Sequence, residues 1–421
     1  MVHVHGSQVA ARAATIARVS ASRVLVVPID VGKHTAMALI ADAAGEQLVA
    51  PFTFSLDRPG LTELVSRVQR VAAERDASVI RIGVEAAGHY HRPVVASGLL
   101  PEAWEVIELN PGHVTEQRRV LGKRGVKTDQ VDLTAMFDLL VAGRGHPAGR
   151  RERELLELRA WVGMRHRRVA AAIALKNQVL GQMDRAFPGA GACVASSLLT
   201  TKVGRLVLAE FADPDRLGRL GAERFRKFAA RRDVIVQRSV AHRFVAAARA
   251  ACPPAEAATA RRVLAADLAL LAELESQIAC ADAELARLLP TTPFQILTTT
   301  PGWSTVRAAR YGAALGDPAR WPSARQIYRA AGLTPKLHES AGSRYDGKIC
   351  REGSVELRGT LLELGMGLWL CDPATAERVT QLKARGKPAG IIACTMANRA
   401  NRIAFAMVRH QTPYQPQRWS N

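Results

Sequence analysis

The sequence has no Cys-x-x-Cys pair: its six cysteines, Cys193, Cys252, Cys280, Cys350, Cys371 and Cys394, are widely scattered. That spacing speaks against a zinc site and offers no disulfide framework, which fits a reducing cytoplasm. No apolar run is both long enough and free enough of charge to cross a bilayer. The stretch from Met1 to Ser22 carries Arg12 and Arg18 but no continuous apolar segment of the signal-peptide kind, so it reads as a basic leader. Acidic residues are in deficit, with 38 Asp and Glu against 58 Lys and Arg.

That imbalance gives a formal net charge of +20, a field that draws polyanions. Nucleic acid is the obvious one, because neutralised phosphates release their condensed counterions. A membrane surface would call for a basic amphipathic helix or a lipidation signal, and neither is clear, so no membrane partner is expected. At 421 residues the chain is long enough for two or three domains.

The first region reads as α/β. Val24 to Asp30 is a short run rich in β-branched residues, the pattern of a buried strand. Strands are expected at Thr35 to Ala41 and Gln47 to Phe54, a helix at about Pro59 to Arg75, and further strands at Val79 to Glu85 and Trp104 to Leu109. A basic stretch follows at Arg118, Arg119, Lys123, Arg124 and Lys127, candidates, with Lys336, Arg344, Lys348 and Arg351, to bind nucleic acid. From about Arg151 the pattern turns helical. Glu152 to Arg185 reads as one long helix, and in Ala255 to Leu289 the residues Leu264, Leu271, Ile278 and Leu285 recur every seven positions. The heptad spacing predicts a coiled-coil seam, covered by the Glu152–Arg185 helix or by another protomer. Lys336 to Arg351 reads as a loop of Gly, Ser and basic residues, and the tail after Thr412 as loose.

Two of the expected strands end on acids, Asp30 and Glu85. If those strands are neighbours, both carboxylates emerge at one sheet edge. Asp129 and Asp132 stand three apart at the start of an expected helix, so they share a face. Taken singly, each acid is a turn, cap or solvated-face residue. Four carboxylates converging on one point would need cations, and an all-oxygen donor set favours Mg²⁺ or Mn²⁺. Such ions serve phosphodiester chemistry.

The segments Ile29-Asp30-Val31-Gly32-Lys33, Gly83-Val84-Glu85-Ala86-Ala87-Gly88-His89-Tyr90 and Lys127-Thr128-Asp129-Gln130-Val131-Asp132 resemble the RuvC-like, ribonuclease-H-type domain of transposases in the insertion-sequence 110 family, which includes Piv-type DNA invertases. Asn110-Pro111 is similar as well. The resemblance implies a DEDD tetrad at Asp30, Glu85, Asp129 and Asp132. Thr300-Pro301-Gly302-Trp303-Ser304 resembles the family's helix-hairpin-helix-type turn, with Ser304 where a glycine is usual; a plain helix–helix connection is the alternative.

Ala331-Gly332-Leu333-Thr334-Pro335-Lys336-Leu337-His338-Glu339-Ser340 resembles the same family's C-terminal domain, which implies Ser340 as the nucleophile of strand exchange. Lys336, Arg344, Lys348 and Arg351 are candidates to steady the phosphate transition state, while Ser343 and Ser354 compete for the serine's role. The expected organisation is a basic leader at 1–22, a RuvC-like α/β domain at 23–150, a helical coiled-coil region at 151–292, a mostly α transposase domain at 293–411 and a loose tail at 412–421. The resemblance further implies DNA as substrate, a noncoding guide RNA, and a homo-oligomer, dimeric and then tetrameric at synapsis. Such a protein would sit in a bacterial cytoplasm at the nucleoid. Two other readings stay open: a RuvC-like nuclease or junction resolvase without a covalent serine, and a non-catalytic nucleic-acid scaffold.

Overall fold

Strand β1 (Val24–Val31) owes its place at the centre of a sheet to an almost unbroken run of apolar side chains, buried along nearly its whole length. The computed structural model describes residues 19–86, 88–122, 128–148, 153–340 and 343–419, the side chains of 337–340 and 343–347 excepted. Within it the chain forms two units, Met1–Arg150 and Arg151–Asn421.

In the first unit, β2 (Thr35–Asp42) and β3 (Gln47–Ser55) follow β1 as an antiparallel meander. Helix α1 (Arg58–Glu74) starts where Asp57 accepts a hydrogen bond from the Gly60 amide at 2.9 Å. It lays Leu61, Leu64, Val68 and Val71 against the Leu25, Val27 and Ile29 side of the sheet. Strand β4 (Val79–Glu85) then returns parallel to β1. The short helix α2 (Arg92–Ala96) leads to β5 (Glu105–Leu109), parallel to β4. Helix α3 (Pro111–Val120) is capped by Asn110, which accounts for the Asn-Pro pair. Helix α4 (Asp129–Val141) packs Ala135, Met136, Leu139 and Leu140 against the Val24 and Val26 side, and β6 (His146–Pro147) closes the edge. The strand order β3-β2-β1-β4-β5-β6 fits a ribonuclease-H-like domain.

The second unit begins with α5 (Arg153–Ala186), a helix of 34 residues. Four shorter helices follow, α6 (Lys202–Glu210), α7 (Pro214–Leu220), α8 (Ala222–Ala230) and α9 (Arg238–Ala250). The chain returns along α10 (Ala257–Leu288). Arg165 pairs with Asp282 at 2.5 Å and Lys176 with Glu275 at 3.2 Å, so the partner number falls as the α5 number rises and the helices are antiparallel. Leu264, Leu271 and Leu274 are buried with Ala172, Leu175 and Val179 of α5 and with the core of α6–α9. The heptad stripe is thus covered within its own chain.

Beyond α10 come α11 (Thr305–Leu315), α12 (Ala324–Ala330), a hairpin of β7 (Pro335–Ser340) and β8 (Ser343–Ile349), and α13 (Val355–Cys371), α14 (Pro373–Ala384) and α15 (Ala389–His410). The expected loop at Lys336 to Arg351 is therefore largely a β-ladder. The tail is held rather than loose: the Tyr414 hydroxyl donates to Asp372 at 3.2 Å, and Tyr414 and Trp419 pack on the core around Leu361 and Ala400. Two aromatic rings supply apolar area that a polar tail would lack.

Candidate active site

The acids are placed by strand register. In the parallel β1–β4 pair, Ile29 stands beside Val84, and one further step sets Asp30 beside Glu85. Neighbouring strands lie about 4.8 Å apart, and residues in step share a face. The face is fixed by what packs there. Val24 and Val26, an even number of residues before Asp30, touch α4, and so does Gly83, two before Glu85, where a Cβ would come within 2.3 Å of Leu140. Both carboxylates therefore end central strands on the α4 side, and both are half-buried.

Helix α4 brings the other two acids in its first turn, opened by the Thr128 side chain, which accepts from the Val131 amide at 3.3 Å. Asp129 is exposed, while Asp132 is buried at 2% exposure. A carboxylate so deep needs a counter-charge. Arg118 of α3 supplies it at 2.9 Å, its own side chain only 15% exposed, and it also donates to Thr115. Arg118 was expected among the nucleic-acid contacts; here it is the ionic partner of an acid.

The donor set is all oxygen, which suits a hard divalent cation. Asp30 and Glu85, adjacent at one edge, fit such an ion as a pair. Among the described residues, however, no three His, Cys, Asp or Glu side chains are gathered tightly enough to hold a metal. Arg118 meets Asp132 at Oδ1, so an ion would share this carboxylate with the guanidinium.

Of the other basic candidates, Arg119 is exposed and pairs with Glu116 at 3.3 Å, while Lys123, Arg124 and Lys127 lie outside the described residues. In the second unit Ser340 stands opposite Ser343 where β7 and β8 close. Lys336 is 3.5 Å from Glu352, and Lys348 and Arg351 are exposed. Arg344 falls in β8, its side chain outside the description. Ser354 caps α13, accepting from the Leu357 amide at 3.1 Å, which accounts for it structurally. Ser304 likewise caps α11. Gly302, at φ 77°, presses on the Gly367 carbonyl, and the Trp303 indole donates to the Leu364 carbonyl at 2.9 Å. That turn is a helix–helix packing joint.

Sequence reasoning missed two buried polar groups in the same unit. Arg81, 1% exposed, donates to Glu105 at 2.7 Å and to the Leu140 carbonyl at 2.9 Å, tying β4 to the end of α4. An arginine inside an apolar strand was its signal. His91, buried, lies 3.8 Å from Glu108 of β5; no local pattern announces it.

The sequence has counterparts among known proteins. A family model for DEDD transposases of the IS110 type matches residues 27–188, and one for the transposase IS116/IS110/IS902 family matches residues 294–380. A "Probable family 20 transposase" of Pseudomonas aeruginosa is 27% identical over 158 residues, 35% of this chain and 47% of that protein. An "Insertion element IS110 uncharacterized 43.6 kDa protein" of Streptomyces coelicolor is 27% identical over 146 residues, 34% of this chain and 36% of that one. The matches thus span about half the length of the first relative and about a third of the second. With one family model matched at each end, together over more than half of its length, the chain belongs to the IS110-type transposase family.

Proposed function

We propose that this chain is a DNA transposase, a recombinase that cuts and rejoins DNA strands with the acids of the first unit and a serine of the second. The observation that carries the reading is the register that sets Asp30 beside Glu85 on the α4 face. Asp30, Glu85, Asp129 and Asp132 would hold Mg²⁺ or Mn²⁺. When bound, such an ion supplies positive charge against the phosphodiester oxygens. Asp30 and Glu85 position that charge from rigid strand ends, and Arg118 keeps Asp132 oriented.

Ser340 is the proposed nucleophile. Its Oγ forms a bond to a DNA phosphorus as the phosphorus–oxygen bond to the next nucleotide breaks, and the serine proton ends on the released hydroxyl. Lys336, Arg344, Lys348 and Arg351, on or beside the same hairpin, balance the phosphate charge. The net charge of +20 suits DNA and a noncoding guide RNA alike, and assembly of two and then four protomers would bring strands together.

The test is strand transfer between the element's end sequences and a target, with and without its transcribed noncoding ends. The wild-type chain should rearrange the DNA and yield an adduct mapping to Ser340. Unchanged strand transfer by Ser340→Ala would leave a metal-dependent nuclease or resolvase instead. Full rearrangement by Asp30→Asn would leave a nucleic-acid scaffold.

A further inference from the structure

The helices α6–α9 lie between the two family matches, outside both. They share a core with α5 and α10, in which Phe211, Phe225 and Phe244 meet edge to face, with centroids 5.3 and 6.2 Å apart. Residues 190–251 carry twelve Lys and Arg against five Asp and Glu. Most of these cations are engaged. Arg205 pairs with Glu275 at 2.8 Å, Arg226 with Glu223 at 3.2 Å, and Arg232 with Glu210 at 3.4 Å. Arg216 donates to the Glu210 carbonyl and Arg243 to the Cys193 carbonyl.

Arg224, Lys227 and Arg231 differ. They recur at i, i+3 and i+7 on the outer side of α8 and just past its end, opposite the buried Phe225 and Ala229. All three are exposed, and among the described residues none has a carboxylate within ion-pair reach. The helix dipole favours cations near the last turn, which accounts for Lys227 and Arg231. It disfavours one in the first turn, where Arg224 sits. Folding therefore gives no reason for Arg224, nor for the alignment of all three on one outer stripe.

We propose that the α8 stripe is a binding surface for the phosphate backbone of duplex DNA, an added grip outside the part of the chain shared with the family. Seven residues of helix span about 10 Å, and one DNA strand presents a phosphate about every 3.4 Å of axis, so three cations meet about three phosphates. A single strand would call for exposed rings on which bases stack. Here Phe211, Phe225 and Phe244 are buried, and Arg232 covers the Phe228 ring at 3.8 Å. The contact is to backbone alone, so it adds affinity without sequence preference. The choice of DNA rests on the function proposed above.

The test measures binding of the full chain to a random-sequence DNA duplex across a salt series. The variant is the triple Arg224→Gln, Lys227→Gln and Arg231→Gln. A triple of equal charge loss at engaged exposed sites, Arg67→Gln, Arg153→Gln and Arg287→Gln, is the control. The α8 triple should lower the slope of log affinity against log salt by about 3, equally for unrelated sequences, with an unchanged melting temperature; the control should barely move it. Equal slopes for the two triples overturn the proposal. So does a loss confined to duplex RNA. If the wild-type chain rearranges no DNA yet shows this slope difference, the recombinase reading fails and the α8 surface stands.

Discussion

Asp30 and Glu85 end two strands that each hydrogen-bond to a neighbour on both sides, one sheet face covered by α1 and the other by α4. Ser340 ends a ladder of two strands, whose outer edges meet no further strand among the described residues. A six-stranded sheet with helices on both faces fixes a side chain through many contacts, whereas a lone two-stranded ladder is marginal without support. The difference teaches that the two halves of the proposed chemistry are built to different standards. The acids are preorganised by folding. The serine is set by a short pairing register.

The sharpest break between the two halves comes from removing one acid. Glu85→Gln should lower strand transfer at least about a hundredfold, the scale for losing one preorganised electrostatic group. Its melting temperature should stay near that of the wild type; activity within a factor of two would detach Glu85 from the chemistry. Next is a change that disturbs the frame and not the acids. Gly83→Val sets a side chain where Leu140 already stands, and overpacking of this kind costs about 3 kcal/mol, read from a shifted denaturant midpoint. Because α4 carries Asp129 and Asp132, strand transfer should fall with it. A stable, fully active Gly83→Val would mean that the frame does not place the acids.

On the serine side, Ser354→Ala should cost about 1 kcal/mol through the lost cap of α13 while leaving the protein–DNA adduct intact. Loss of the adduct in this variant, without loss in Ser340→Ala, would move the nucleophile. The smallest effect concerns the helical region. Arg205 and then Lys176 hold the Glu275 carboxyl down at about 2. A carboxyl depressed in the folded state adds stability above its ordinary range and loses it as pH falls toward 2. Glu275 is about a third exposed, so the contribution is about 1 kcal/mol or less. Glu275→Gln should lower the midpoint slightly at pH 7 and match the wild type near pH 2; an equal gap at both pH values would show that the charge is idle.

Strands β1 and β4 were legible because burial on both faces forces a mainly apolar run, interrupted in β4 by Arg81, and an acid closing such a run stands out. Arg118 as partner of Asp132 was not legible: the two sit on different helices, and nothing in local spacing links them. The β7–β8 hairpin read as a loop because its Gly, Ser and charged residues show no apolar face. The region from Ala190 to Ala251 gave a weak pattern because it is four short helices, interrupted at Pro214, Gly221 and Asp233, each burying only a few side chains. The stripe of α10 was plain from its heptads, but periodicity does not say which helix covers it.

The antiparallel run of α5 and α10 has a consequence for how such a chain can grow. A path that goes out along one helix and comes back along the other returns to where it left. Whatever is spliced in at the far turn hangs on two strands of the same mast, and the residues at its foot keep their spacing. The helices α6–α9, which share a core with α5 and α10, are thus carried on a base whose two ends meet in one place.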